Sequence, residues 1–165
     1  MQRERRAMNI ADTAAHALDM LREHEKAIGR LYEAYARRFP QDGEFWLILA
    51  QEEQQHAGWI ELLQTKVEDD PSAMIVNRFP AAAINYSLHY LSRLTEDAQQ
   101  PSLTPINALS AALDIEQALL ENKYFEVFTS DSAGIQRLLH LLTQATRAHL
   151  EKVRSALHNH TAGPN

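Results

Sequence analysis

The stretch LAQEEQQHAGWI, residues 49–60, combines an apolar helical stripe with a Glu-x-x-His step. Glu53 and His56 are three residues apart, which puts them about 60° apart around a helix, so both side chains can point at one spot. A carboxylate and an imidazole at that spacing can bind one metal ion. A chain with this much Glu and His contains roughly 0.7 such steps by chance, so the step gains meaning only from the rest of the sequence.

The composition excludes several classes of protein. The chain has 165 residues, no Cys and a formal net charge of −6. The length fits one domain with a sizeable core. The lack of Cys excludes disulfides, thiolate zinc sites and iron–sulfur clusters on this chain. The negative net charge and the lack of a long basic face argue against binding to nucleic acid. No apolar run reaches the ~18 residues that a membrane span needs. We therefore expect a cytoplasmic protein with no nucleic-acid partner and no membrane.

Apolar periodicity and the placing of helix breakers predict an all-α fold. Asp12 and Asp42 are candidate N-caps, and Pro80 and Pro105 suit the first turn of a helix. No strand pattern competes. Residues 12–158 are predicted to form a single domain, between flexible tails at residues 1–11 and 159–165. The five expected helices cover approximately residues 12–39, 43–68, 80–98, 105–129 and 134–158.

The two halves of the chain carry an acid and a histidine in corresponding places, which suggests an internal repeat. The acid on the first helix of each half precedes a histidine on its second helix by 31 residues (Glu25 to His56) or 33 residues (Glu116 to His149). This correspondence is much harder to obtain by chance than one Glu-x-x-His step. The offsets 0, 4, 7 and 11 are filled in the first half by Leu49, Glu53, His56 and Ile60, and in the second by Leu142, Thr146, His149 and Val153.

With these residues in place, the chain resembles the rubrerythrin-type members of the ferritin-like superfamily over about residues 12–157. The resemblance implies a ferritin-like four-helix bundle with a long crossover connection that contains an additional helix. In that family, one Glu from each of two helices and a Glu-x-x-His from each of the other two hold two irons. The features that carry the resemblance are Glu25, LYEAYA (31–36), Phe45-Trp46, EEQQHA (52–57), Ile115-Glu116 and residues 142–153.

Matched residue by residue, the resemblance implies five metal ligands and one missing ligand. Thr146 stands at the position of the second Glu of the family pattern, and Leu119 stands where a further acid is often found. The implied cofactor is iron, as one or two ions, with zinc or manganese as alternatives. The implied ligands are Glu25, Glu53, His56, Glu116 and His149.

Thr146 leaves the metal content open. Losing the glutamate removes a negative charge and a terminal ligand, so one of the two metal positions is expected to bind more weakly. The alternatives are a weakened dinuclear site, a mononuclear site without His149, and a site completed by an external anion or water. For each predicted ligand, a purely structural role is the alternative to metal binding. A lone histidine on an apolar face, such as His149, is often a hydrogen-bonded core residue. Because burying an unpaired carboxylate is costly, acids on an apolar stripe favour a cation or another partner.

Neighbouring side chains are assigned to solvent or to packing. Glu52 lies about 100° from Glu53 around the helix and is expected in solvent. Tyr32 is expected in the core, with a hydrogen bond to a ligating carboxylate as the alternative. Trp46 and Trp59 are expected beside the metal face, as packing or dimer contacts. The remaining histidines are expected at the surface: His16, His24, His89, His140, His158 and His160.

Three functional hypotheses follow. The first is a non-haem di-iron oxidoreductase that reacts with peroxide or dioxygen and needs an external electron donor, since the chain has no Cys. The second is a metal-binding protein with little catalysis. The third is a metal-free bundle with a structural, interaction or stress role. We expect metal binding, with iron favoured, in a homodimer. No catalytic residue is assigned.

Overall fold

The computed structural model describes the backbone of residues 2–162 and the side chains of residues 13–162. Two short strands, β1 (Ile75–Val76) and β2 (Phe128–Thr129), pair antiparallel, and no helix among the described residues is long and apolar enough to cross a membrane. The all-α prediction is confirmed. Within residues 2–162 the five helices are α1 (Gln2–Arg38), α2 (Gly43–Asp69), α3 (Ala81–Asp97), α4 (Pro105–Glu121) and α5 (Ala133–Ala162).

The end of α4 differs most from the prediction. The helix stops at Glu121 rather than near Thr129, and Phe128 and Thr129 belong to β2 instead. The Asn122 side chain donates a hydrogen bond to the carbonyl of Ala118 at 2.8 Å, and Lys123 adopts a left-handed backbone with φ of 52°. A left-handed residue just after the last turn ends a helix, so the chain leaves the helical path here.

The outer ends of the first and last helices also differ. α1 begins at Gln2, so Asp12 lies inside the helix and is not its N-cap. α5 continues past His158 to Ala162. The tails predicted at residues 1–11 and 159–165 are therefore helical where the structure describes them, whereas residue 1 and residues 163–165 lie outside the described part.

The helices pack in pairs that bring their middles together. α1 contacts α2 along its length, α4 contacts α5, and α2 also contacts α5, while α3 lies against α1. At Gly29 an added Cβ would lie 3.4 Å from the Cβ of Glu53 and 3.5 Å from the carbonyl oxygen of Ala50. These are ordinary van der Waals distances, and they show that α1 and α2 are in contact here, one turn along α1 from Glu25.

Candidate metal site

The five predicted ligands come together in the interior from four helices. Glu25 lies on α1, Glu53 and His56 on α2, Glu116 on α4 and His149 on α5. Each residue is at most 3% exposed. Charged residues are almost never buried to this degree unless they are paired or bind a metal, so the cluster needs a physical explanation.

Glu53 lies at the centre of the cluster. Its Oε2 atom is 3.0 Å from Nδ1 of His56, and its Oε1 atom is 2.7 Å from Nδ1 of His149. The two imidazole rings are 4.9 Å apart between centroids. One carboxylate therefore divides its two oxygens between two histidines on different helices.

A second glutamate accompanies each histidine. Oε2 of Glu25 is 3.4 Å from Nδ1 of His56, and Oε1 of Glu116 is 3.5 Å from Nδ1 of His149. The cluster thus consists of two Glu–His pairs, one on each side of Glu53. Both histidines present the same ring nitrogen to the carboxylates.

Several oxygens of the cluster have no hydrogen-bond donor. Both carboxylate oxygens of Glu25 and Oε2 of Glu116 are buried without a hydrogen-bond partner among the described residues. Buried oxygens without a partner are costly, and a bound cation would remove that cost. Glu53, His56 and His149 each offer a ligand atom, and these atoms all lie within 4.8 Å of one another. This buried group could bind a metal ion.

When no metal is bound, protonated histidines compensate the charge of the buried carboxylates. Burial and the charge of Glu53 raise the pKa of Glu25 to about 7. Burial acts to lower the pKa of His56, but the nearby carboxylates of Glu25 and Glu53 raise it to about 9. Likewise, Glu116 and Glu53 outweigh burial and raise the pKa of His149 to about 11. Both imidazoles are therefore cationic at neutral pH and compensate the buried carboxylates.

Glu52 is part of the site, although it was expected in solvent. Its Oε2 atom lies 2.8 Å from Nε2 of His149, and its oxygens lie 2.6 and 2.7 Å from Nζ of Lys152. The contact with α5 gives His149 a carboxylate at each ring nitrogen. The sequence indicates this role of Glu52 only in part, because Glu52 is adjacent to Glu53 but points away from it on an isolated helix.

Thr146 is buried, as its position on the apolar stripe predicts, at 2% exposure. Its hydroxyl donates to the carbonyl of Leu142, one turn earlier in α5, at 3.0 Å. The hydroxyl is thus satisfied by its own helix. It supplies no carboxylate to the cluster, which contains three buried glutamates and two histidines.

Two aromatic residues contact the cluster directly. The Tyr32 hydroxyl donates a hydrogen bond to Oε1 of Glu116 at 2.7 Å, so this tyrosine is both a core residue and a partner of a predicted ligand. The Trp59 ring stacks on His56 at a centroid distance of 5.4 Å and an interplanar angle of 27°. Trp46 packs against Tyr32 and Tyr35 further along the core.

One of the six other histidines was placed wrongly. His24 is 1% exposed, and its Nε2 atom lies 2.7 Å from Oγ of Ser87 on α3. The sequence prediction missed this because α3 covers that face of α1. The prediction of a surface position is confirmed for the exposed residues His16, His89, His140, His158 and His160.

Comparisons of the chain with protein-family models, with curated proteins and with solved structures find no match. The resemblance to rubrerythrins therefore depends on the residues of the site and stays a prediction. Any functional conclusion therefore depends on the geometry of the Glu/His cluster.

Proposed function

We propose that the chain is a ferritin-like bundle of α1, α2, α4 and α5, with α3 in the crossover connection, and that it binds two divalent metal ions. Iron is the preferred metal, as in the rubrerythrin-type proteins that the sequence resembles. The position of Glu53 between two Glu–His pairs is the observation that carries the proposal. A carboxylate shared in this way suits two neighbouring cations better than one.

The donor set fits such ions. Carboxylate oxygens and imidazole nitrogens suit iron, manganese and zinc. Glu25 and His56 would hold one ion, Glu116 and His149 would hold the other, and Glu53 would be shared between them. The unpartnered oxygens of Glu25 and Glu116 support this assignment, since a cation would supply the interaction that they lack.

Irons bound here would supply electrons for reducing peroxide or dioxygen. The chain's own groups prepare the site for them. Glu52 holds the proton on Nε2 of His149, which keeps Nδ1 directed at Glu53. Tyr32 donates to one oxygen of Glu116 and leaves the other free. Trp59 covers one face of His56 and limits the access of water to that ring.

The geometry changes the expected effect of Thr146. In the internal repeat Thr146 corresponds to Glu53, and Glu53 lies between the two pairs rather than at one end. The missing acid is therefore a second shared ligand and not a terminal one. Three carboxylates with neutral histidines leave two divalent ions undercompensated by one charge. We infer that both metal positions are weakened, rather than one.

A metal-free structural cluster is the second candidate. It is favoured by the ion pairs that both histidines form with carboxylates without any metal. Replacing such a buried ionic cluster by apolar residues is often neutral or stabilising, so its role in stability alone is a weak explanation. The unpartnered oxygens of Glu25 and Glu116 favour the metal site over this candidate.

Metal titration tests the proposal. The metal-stripped protein is titrated with Fe(II) under anaerobic conditions, and bound metal is measured by elemental analysis after gel filtration. We expect saturation near two ions per chain and a large loss of binding in Glu53→Gln. Glu61→Gln is the matched control, since it makes the same change at an exposed position of α2. No binding by the native protein would establish the structural candidate instead.

Trp59 offers an independent readout, because it stacks on His56. Its fluorescence is expected to fall as metal occupies the site, and Trp59→Phe should remove that signal without removing binding. Consumption of peroxide by the iron-loaded protein with a chemical reductant tests the oxidoreductase hypothesis separately from binding. The homodimer and the external electron donor stay predictions.

A further inference from the structure

A cavity lies between α3 and α4 and is lined by none of the residues of the Glu/His cluster. Its volume is about 320 Å³, which is at the low end for ligand-binding cavities. Its polar and aromatic lining comprises Tyr86, Ser87, Tyr90, Asp114, Asn122 and Tyr124.

The cavity of about 320 Å³ contains one charged group and three aromatic rings. Asp114 is the only charged residue that lines it, and this carboxylate forms no ion pair with any side chain in the described part of the chain. Tyr86 is 72% exposed, an unusual position for a large ring, whereas Tyr124 is buried. The cavity therefore presents aromatic surface and one uncompensated negative charge.

The buried His24 contacts two residues that line the cavity. Nε2 of His24 lies 2.7 Å from Oγ of Ser87, and the His24 ring meets the Tyr124 ring edge-on at a centroid distance of 6.0 Å. Two lining residues, Ser87 and Tyr124, are thus held by a side chain of the core, which indicates a preformed wall.

We propose that this cavity binds a small organic cation, an amine or quaternary ammonium compound, with its charge near Asp114 and its alkyl groups against the tyrosine rings. Aromatic faces attract cations, and quaternary ammonium groups are bound in this way by clusters of aromatic side chains. An anion would be repelled by Asp114 and would find no cationic side chain in the lining. Arg93 places its guanidinium carbon 6.0 Å from the Tyr90 ring centroid, but it does not line the cavity.

Choline and its neutral isostere 3,3-dimethylbutan-1-ol are suitable probes, because they share a shape and differ in charge. Binding of each to the full chain is followed by NMR chemical-shift changes at the tyrosine rings. We expect choline to bind about tenfold more tightly than the alcohol, because the tyrosine rings and the charge of Asp114 both attract the cation and not its neutral isostere. Equal affinities, or no binding of choline, would overturn the proposal. The inference is independent of metal binding, because its probes and residues lie outside the Glu/His cluster.

Variants test the two parts of the cavity separately. Asp114→Asn is expected to weaken choline binding several-fold, whereas Asp131→Asn, which removes the same charge elsewhere, should have no effect. Tyr90→Leu should weaken binding about tenfold, whereas Tyr90→Phe should retain it because the ring face remains. Loss of binding in Tyr90→Phe, or equal effects of the two Asp variants, would contradict the assigned contacts. Asp114 and Asp131 are both exposed, so their variants are expected to fold.

Discussion

Glu52 and His149 are 97 residues apart in the chain, yet Oε2 of Glu52 lies 2.8 Å from Nε2 of His149 where α2 meets α5. Lys152, three residues after His149, pairs with the same carboxylate. The contact leaves Nδ1 of His149 directed at Glu53. A half-exposed carboxylate thus orients a buried imidazole that is a predicted metal ligand.

We predict that Glu52→Ala lowers metal affinity about 10- to 100-fold, the usual cost of losing the carboxylate behind a ligating histidine. Glu52→Gln should retain most of the affinity, because its amide oxygen can still accept from Nε2. Titration with Co(II), followed by its absorption spectrum, measures both. If Ala and Gln have equal effects, Glu52 acts through its charge rather than by orienting His149.

Thr146→Glu is expected to raise metal affinity and to lower the stability of the metal-free protein. The new carboxylate would be a second shared ligand opposite Glu53, but without metal it adds a buried negative charge. Metal titration and urea unfolding in EDTA measure the two effects. Gln144→Glu adds the same charge at an exposed position of α5 and should change neither quantity. Unchanged affinity in Thr146→Glu would contradict the alignment of the two halves.

The sequence was sufficient to predict the candidate ligands, which lie on the apolar stripes of the helices. Helical spacing predicts that Glu53 and His56 share a face, and the internal repeat adds Glu25, Glu116 and His149. Their meeting in one buried cluster is a consequence of which stripes face the core. The number of metal ions does not follow from the spacing, because it depends on how the glutamate oxygens divide between the histidines.

The features that the sequence did not predict depend on tertiary packing. Glu52 is on the solvent side of an isolated α2, and only the packing of α5 brings His149 to it. His24 is buried because α3 supplies Ser87. The early end of α4 was not predicted, because the residues after Glu121 continue an apolar pattern. The residue with the left-handed backbone is Lys123 and not a glycine, so the sequence does not mark the end of the helix there.

The stability of the metal-free protein is predicted to fall as pH rises from about 6 to about 10. The pKa values of His56 and His149 are raised from 6.5 to about 9 and about 11, so their stabilising effect is complete below 6.5 and is lost as pH rises through the folded values. The pKa of Glu25 is raised from 4.5 to about 7, so its ionisation between these values also destabilises the fold. The three groups therefore act in the same direction.

Urea unfolding in EDTA at about pH 6 and about pH 10 measures this trend. Metal affinity should change in the opposite direction, because binding displaces protons from the histidine Nδ1 atoms and so becomes stronger as pH rises. His140→Gln, at an exposed position, is the control for His149→Gln, which should flatten the alkaline part of the stability profile. A metal-free protein that is more stable at the higher pH would contradict the ion pairs of the cluster.

Tyr32→Phe is predicted to destabilise the metal-free protein by about 1–3 kcal/mol, the cost of leaving a buried acceptor unsatisfied. The Tyr32 hydroxyl donates to Oε1 of Glu116 at 2.7 Å, and Oε2 of Glu116 already has no hydrogen-bond partner among the described residues. Urea unfolding compares the variant with Tyr86→Phe, whose exposed ring should tolerate the same change. Saturating metal should reduce the difference, because a cation on Glu116 replaces the lost donor. A cost that metal leaves unchanged would place Glu116 outside the metal site.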